Sequence, residues 1–468
     1  MRAFPLRTIV ERAAVPPGDP GRAGSIQARN YALVQRDSVA VGVVNAVSTF
    51  LPVLIVRLGG SGFDVSLLTV LPALAGFALA IPAGRFLQRR RDIVPWYSGT
   101  RLVAQCAYAL MALATFLAPP GFAIVLVLVI WGLATLPSTV YNVAFSIVMD
   151  GAAGPRGRYE LMSQRWGISG LATAVTAGLA GQLIEGLGFP AGYEAILLCF
   201  TVAAFVSFNY SHRIVVSHAG QAAASPLETP RAERASGSEP SGSEPSESGR
   251  EQRSAAPESA APESGQSLLA LVRRERPFLA FEARRFAFGA GIALVTPLLP
   301  LYYVQEAHAS DAWIGILGMV QAAALLVGYY GWRQLSRRRS SGFVLASTTI
   351  VWALYPAALA TTTALPAIAV LLAASSLFTA GANLALFDHL MAVVPPHHGV
   401  TFVSIDQSEQ NLARVVAPLL GGVLAVWLGA GPALVAGSAL SLLGAFLFLR
   451  ATRAASRPAT LEARPRVS

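Results

Sequence analysis

The stretch GRFLQRRRD, Gly84–Asp92, closes a long apolar run with three adjacent arginines, and GWRQLSRRR, Gly331–Arg339, repeats the device 247 residues later. At that offset Gly84 meets Gly331, and Arg90 and Arg91 meet Arg337 and Arg338 without a gap. Thr49 meets Thr296 and Asp64 meets Asp311 in the same register. Further on the offset becomes 241, where Asn142 meets Asn383, Ser163 meets Ser404 and Gly181 meets Gly422. Polar landmarks that recur in order indicate two copies of one unit in the same orientation.

The unit is greasy. Of 468 residues, 54% are hydrophobic and 13% are charged, whereas soluble domains carry about 25% charged residues. Apolar runs of about 20 residues are long enough to cross a bilayer, and in hydrocarbon such runs must be helical because the backbone has to satisfy its own hydrogen bonds. Hydropathy places six spans at Val39–Leu58, Val65–Phe86, Ile93–Leu117, Phe122–Met149, Leu161–Ile184 and Gly192–Phe208. Six more follow at Phe286–Val304, Ala312–Trp332, Phe343–Ala364, Pro366–Val394, Phe402–Leu428 and Pro432–Leu449. The expected fold class is an all-α membrane protein whose twelve helices form two pseudo-symmetric six-helix bundles.

Between the two sets, the segment from Ser225 to Ser267 repeats SGSEP and AAPES and holds almost no large apolar side chains, so nothing offsets the entropy of ordering it. The organisation expected is a cytoplasmic arm at 1–35, a first half at 36–213, a disordered cytoplasmic linker at 214–273, a second half at 274–450 and a cytoplasmic tail at 451–468. The first thirty residues are polar and contain no apolar core of the kind a cleavable signal peptide needs.

The net charge of +10 suggests nucleic acid only if the basic residues form a face on a soluble fold; here they sit in loops. The arm, Arg89–Arg91, Arg156, Arg158, the linker, Arg337–Arg339 and the tail all fall on one side, while the other side holds Arg57. That asymmetry places both termini in the cytoplasm of a multi-pass cell-membrane protein. All 35 basic residues are arginine, which removes a Walker lysine and Schiff-base chemistry. Cys106 and Cys199 lie in apolar runs and form no metal or disulfide pattern.

Six plus six spans, a central linker and arginine clusters after spans two and eight resemble the major facilitator superfamily of secondary transporters, over roughly Asn30 to Arg450. In that family the loop after span two runs Gly-x-Leu-x-Asp-Arg-x-Gly-Arg-Arg. Gly84 and Arg89 keep their places, Gln88 stands where the aspartate belongs, and Arg91 replaces the second glycine. The run ARVVAPLLGG, Ala413–Gly422, is similar to the span-eleven pattern of the family, and the subfamily stays open. The resemblance implies a cavity lined by spans one, four, seven and ten, and a gating role for Gly84 and Arg89.

Polar groups inside lipid are costly, so a line of them on one helix face points to a wet or ligand-filled space. Thr135, Ser138 and Asn142 share one face of span four, and Ser376, Thr379 and Asn383 repeat the spacing in span ten. With Thr49 and Thr296 they form the expected substrate-binding set; the alternative is close packing of small residues between helices. Arg414 lies ~18 Å into span eleven at about 1.5 Å per residue, near the midplane. With Gln407, Gln410 and Asn411 on its stripe it could clamp a carboxylate or phosphate. Equally, it could pair with Glu409 or Asp388 in a gate that also includes Asp406 and Gln410. Arg101 is read as peripheral, within snorkelling reach of the interface. Arg36, Asp37, Glu282, Arg284 and Arg285 are read as interfacial pairs, and Glu185, Glu306 and Asp311 as facing outside. His389, His397 and His398 do not make a metal site, since adjacent histidines cannot share a helix face.

The function expected is secondary transport of a small solute by alternating access, with protons as candidate coupling ions and export favoured over uptake. The chain is expected to act as a monomer in the lipid bilayer, without cofactor, metal or nucleic acid. A sensor that keeps the fold without transporting, and a membrane enzyme, are the alternatives. The sequence contains no G-x-S-x-G, H-E-x-x-H, G-x-G-x-x-G or P-loop match.

Overall fold

A computed structural model of the chain describes residues 20–90, 92–216, 274–335, 341–394 and 399–455. The expected linker from residue 217, the tail from 456, Arg91, Arg337–Arg339, His397 and His398 lie outside the described residues. Among the described residues the chain is helical without strands, and twelve helices are long and apolar enough to span a membrane. Spans one to six are Ile26–Arg57, Gly62–Leu79, Val94–Leu117, Pro120–Ala153, Glu160–Leu187 and Ala191–Ser211. Spans seven to twelve are Arg276–Glu306, Asp311–Trp332, Gly342–Leu359, Leu365–Val393, Ile405–Leu428 and Ala430–Thr452. Spans four and five belong to one helical trace, Pro120–Leu187, so the connection expected between them is itself helical.

Span one does not run straight. Its helix stops at Asn45 and restarts at Val47, and the N–H groups of Ala46 and Thr49 make tightened bonds to carbonyls three residues back. Pro52, inside the second segment, has no N–H for the Ser48 carbonyl and its ring crowds that carbonyl, which loosens the preceding turn. Span seven breaks at the corresponding depth: one helix ends at Val295, Pro297 follows, and the chain continues through Leu298–Leu301 into a π-helical turn, Tyr302–Glu306. Interrupted helices at mid-membrane are tolerated where the backbone is buried in protein or lines a cavity.

The halves meet along two helix pairs. Span five packs on span eight, and span eleven packs on span two. Glycine permits both crossings. A Cβ on Gly181 would fall 2.7 Å from the Gly315 Cα, and a Cβ on Gly422 would fall 2.8 Å from the Gly62 carbonyl oxygen. The repeated pair Gly181 and Gly422 thus serves the same purpose in each half: it lets the fifth helix of the unit touch the opposite half.

Asp64 and Asp311, the other repeated pair, have diverged. Asp64 closes a capping box with Ser61, accepting from its N–H at 2.7 Å while its own N–H donates back. Asp311 faces the other half and accepts hydrogen bonds from Arg57 Nε and from the Tyr193 hydroxyl.

Candidate functional site: a cleft between the halves

At the end of the bundle away from the termini, the halves are fastened together. Arg57, at the far end of span one, pairs with Asp311 at 3.4 Å and donates to the Ala309 carbonyl at 2.7 Å. Tyr193 of span six donates to the same aspartate, and the Glu185 carboxylate accepts from the Ala312 N–H. Ser66 of span two donates to the Pro418 carbonyl of span eleven at 2.7 Å. Asp311, expected to face outside, is the hub of this fastening.

From mid-depth towards the termini the halves part around a cavity of about 2050 Å³. Its floor is the interrupted part of span one, where Asn45 and Ser48 face it, and its mouth reaches Met162 and Ser163 of span five and Asp388 and Met391 of span ten. Thr135, Ser138 and Asn142 line one wall as the span-four spacing predicts. Thr135 and Ser138 donate to carbonyls of their own helix, Gly132 and Thr135, so their oxygens present lone pairs to the space. Asn142 is exposed there.

Several lining groups escape the spacing argument. Gln105 of span three faces the cavity with a buried Oε1 that has no hydrogen-bond partner among the described residues. Tyr108, Tyr141, Trp131 and Trp166 line the first half's wall, and Tyr329, Tyr330, Trp332 and Phe387 the second's. Asp388 is the one carboxylate among the described lining residues, which include no arginine or histidine. An amide in the middle of span three was the visible signal for Gln105. The aromatic residues carry no signal of their own, since aromatics serve any core.

The rest of the expected set lies elsewhere. Thr49 packs against Gly318 at the contact between the halves, because the helix break at Ala46 turns Asn45 and Ser48, rather than Thr49, towards the cavity. Ser376 is buried and Thr379 half-buried, donating to Leu372 and Ser375 carbonyls. Asn383 reaches the lining through Tyr329, donating from Nδ2 to its hydroxyl at 3.2 Å. Thr296 bonds to the Ile292 carbonyl in the break of span seven and is not among the lining residues. Arg414 is exposed on span eleven, outside the lining. Gly84 and the exposed Arg89 sit at the terminus-side end of the second helix, Gly62–Gln88.

Two charge clusters brace the halves near the termini. In the first, Asp37 is fully buried and receives Arg165 Nη1 at 2.9 Å, Arg101 at 3.2 Å through both terminal nitrogens, and the Ser207 hydroxyl. Arg101 also bonds to Ser207 and to the Tyr97 hydroxyl. Spans one, three, five and six are thereby tied at one carboxylate. The peripheral reading of Arg101 is corrected: its guanidinium is buried and paired, and its partner lies 64 residues away in sequence on another helix. In the second cluster Asp406, also fully buried, pairs with Arg285 of span seven at 2.9 Å and accepts from Gln410 at 2.8 Å. Asp406 and Gln410 therefore hold spans seven and eleven together within one half.

No family model and no curated protein matches this chain. Solved structures do. A bacterial homologue of the iron transporter ferroportin in an inward-facing state aligns over 92% of this chain and 99% of its own, with a TM-score of 0.64 at 15% identity. The nucleoside transporter NupG aligns over 92% and 99% with a TM-score of 0.59 at 12% identity. A bacterial homologue of the human lysosomal transporter Spinster, inward-facing and occupied, aligns over 93% and 98% with a TM-score of 0.59 at 12% identity. The chain has the major facilitator fold, and it is a multi-pass membrane protein. Similarity at this level carries the architecture; the chemistry has to come from the cleft itself.

Proposed function

We propose that the chain is a secondary transporter that carries a small solute through the cleft by alternating access. One observation carries this reading: the halves are pinned together at one end by Arg57 and Asp311 and separated at the other by a cavity that stops at mid-depth. Rocking the halves about that depth would close the open mouth and open the pinned end. The arginine asymmetry supports a cytoplasmic side for the termini, and on that assignment the described conformation faces inward. The solutes of the transporters named above support the class of function, not a choice of substrate.

The lining narrows the chemistry. Amides and hydroxyls (Asn45, Gln105, Ser138 and Asn142) interleave with aromatic rings, and among the described lining residues there is no arginine to hold an anion. That favours an uncharged solute with a flat apolar face and hydrogen-bonding edges, a donor of which would satisfy Gln105 Oε1. Protons are the coupling ions this reading assigns. The test is a thermal-shift screen of purified protein against uncharged polar and heteroaromatic solutes, followed by flux of each stabilising compound in proteoliposomes. Binding followed by flux supports the transporter; binding without flux in any condition favours a sensor that keeps the fold.

A further inference from the structure

The two bracing clusters differ in charge. The first sets one carboxylate against two guanidinium groups. The second gathers three carboxylates, Asp406, Glu409 and Glu282, around the guanidinium of Arg285, with Arg414 further along span eleven acting on Asp406. Glu282, on the terminus-side part of span seven, is 5% exposed, and neither of its carboxyl oxygens has a hydrogen-bond partner within the described residues. The Glu409 carboxyl of span eleven lies beside it.

Span seven also packs on spans nine, ten and twelve. Span nine carries no charged side chain; span ten carries Asp388 and His389; the Arg450 guanidinium of span twelve lies over Phe446. On span seven itself Arg285 is engaged with Asp406, and Arg414, two turns beyond Asp406 on span eleven, acts on that aspartate. Among the described residues none of these groups hydrogen-bonds to Glu282.

A buried carboxylate without a hydrogen bond, beside a second carboxylate, is costly on two counts: lost hydration and like-charge repulsion. One proton removes both. Bound to either group, it converts one carboxylate to a carboxylic acid, whose O–H can donate to the remaining carboxylate once the side chains draw together. Nothing else is made or broken.

We propose that Glu282 and Glu409 hold one proton between them and form the proton site of this transporter. Its part in coupling rests on the transporter reading above; the proton site itself does not. The pair bridges spans seven and eleven, and span eleven is one of the helices through which the second half touches the first, at Gly422 and Pro418. Taking up or losing the proton therefore changes the charge on a helix that must tilt when the halves rock.

Infrared difference spectroscopy of the full chain in lipid, titrated in pH and compared in H₂O and D₂O, reads the site directly. The wild type should show one protonated-carboxyl C=O band that shifts on deuteration and is lost at alkaline pH. Glu282→Gln and Glu409→Gln should each abolish it, and the isosteric amides keep the packing. No such band in the wild type, or a band that survives in both variants, would overturn the assignment. The readout needs no solute, so its failure removes the proton site and leaves the cleft reading intact. Absence of solute flux in the wild type would remove the cleft reading without moving the band.

Discussion

Arg165 and Asp406 occupy equivalent positions in the two halves, 241 residues apart, and each ties the fifth helix of its unit to the first, with opposite polarity. Arg165 bonds to Asp37 at 2.9 Å, and Asp406 pairs with Arg285 at the same distance. A duplicated brace has kept its place while its charges changed sides. Only the contact is needed to hold the two helices, and either arrangement of acid and base supplies it.

Removing one member of a buried ion pair is worse than never having had it, because the other charge is left without compensation. Asp37→Ala strands two buried guanidinium groups and should cost about 3–5 kcal/mol. The measurement is thermal denaturation of the purified protein followed by size-exclusion chromatography, and a large loss of the monodisperse fraction is expected. An unchanged melting profile would show that the cluster is not a brace.

The fastening at Asp311 should set the conformational balance. Asp311→Asn weakens the Arg57 contact and part of the Tyr193 contact, of the order of 1–3 kcal/mol for charge-assisted bonds. The pinned end should then become accessible: a cysteine placed at the buried Ala309 should react with a membrane-impermeant maleimide roughly 5-fold or more faster than in the parent. Equal rates would mean that the pair does not hold the halves.

Gly181 and Gly422 should behave alike. A valine at either position forces backbone apart where a Cβ already falls within 2.8 Å of the opposite half, which costs about 1–3 kcal/mol. The burden falls on the pinned conformation, so Gly181→Val and Gly422→Val should each raise the same maleimide reactivity. Gly84→Ala, whose Cβ meets nothing within 4 Å, should leave it unchanged.

For solute binding, Ser138→Ala, Asn142→Leu and Gln105→Leu each remove a hydrogen-bonding group from the cavity wall. Each should weaken a solute found by thermal shift by about 0.5–1.5 kcal/mol, roughly 2- to 12-fold in dissociation constant. Ser376→Ala, buried against its own helix, should leave affinity unchanged.

Part of this arrangement was legible in the chain and part was not, for physical reasons. Hydropathy marks the spans because lipid demands long apolar helices, and the offset pairs expose the duplication because Gly84, Gly181 and Gly422 sit at fixed points of the repeated unit. The face of Thr135, Ser138 and Asn142 could be read because it lies on one uninterrupted helix. Thr49 could not be oriented correctly, since the break at Ala46 resets the phase of span one. The Asp37 cluster was hidden because its members come from four spans, and no local spacing records a meeting of residues 64, 128 and 170 positions apart. Asp64 and Asp311 look identical in sequence, yet one caps its helix and the other reaches across the molecule.

The central claim is that the two ends of the cleft open in alternation, and a pair of distances measured in one preparation tests it. With Cys106 and Cys199 replaced by serine, spin labels at Glu160 and Gln334 would span the open mouth, and labels at Glu185 and Glu306 the pinned end. Pulsed electron resonance in nanodiscs should find that Asp311→Asn shortens the first distance and lengthens the second in the same fraction of molecules. Distances that stay fixed, or that lengthen together, would contradict the account.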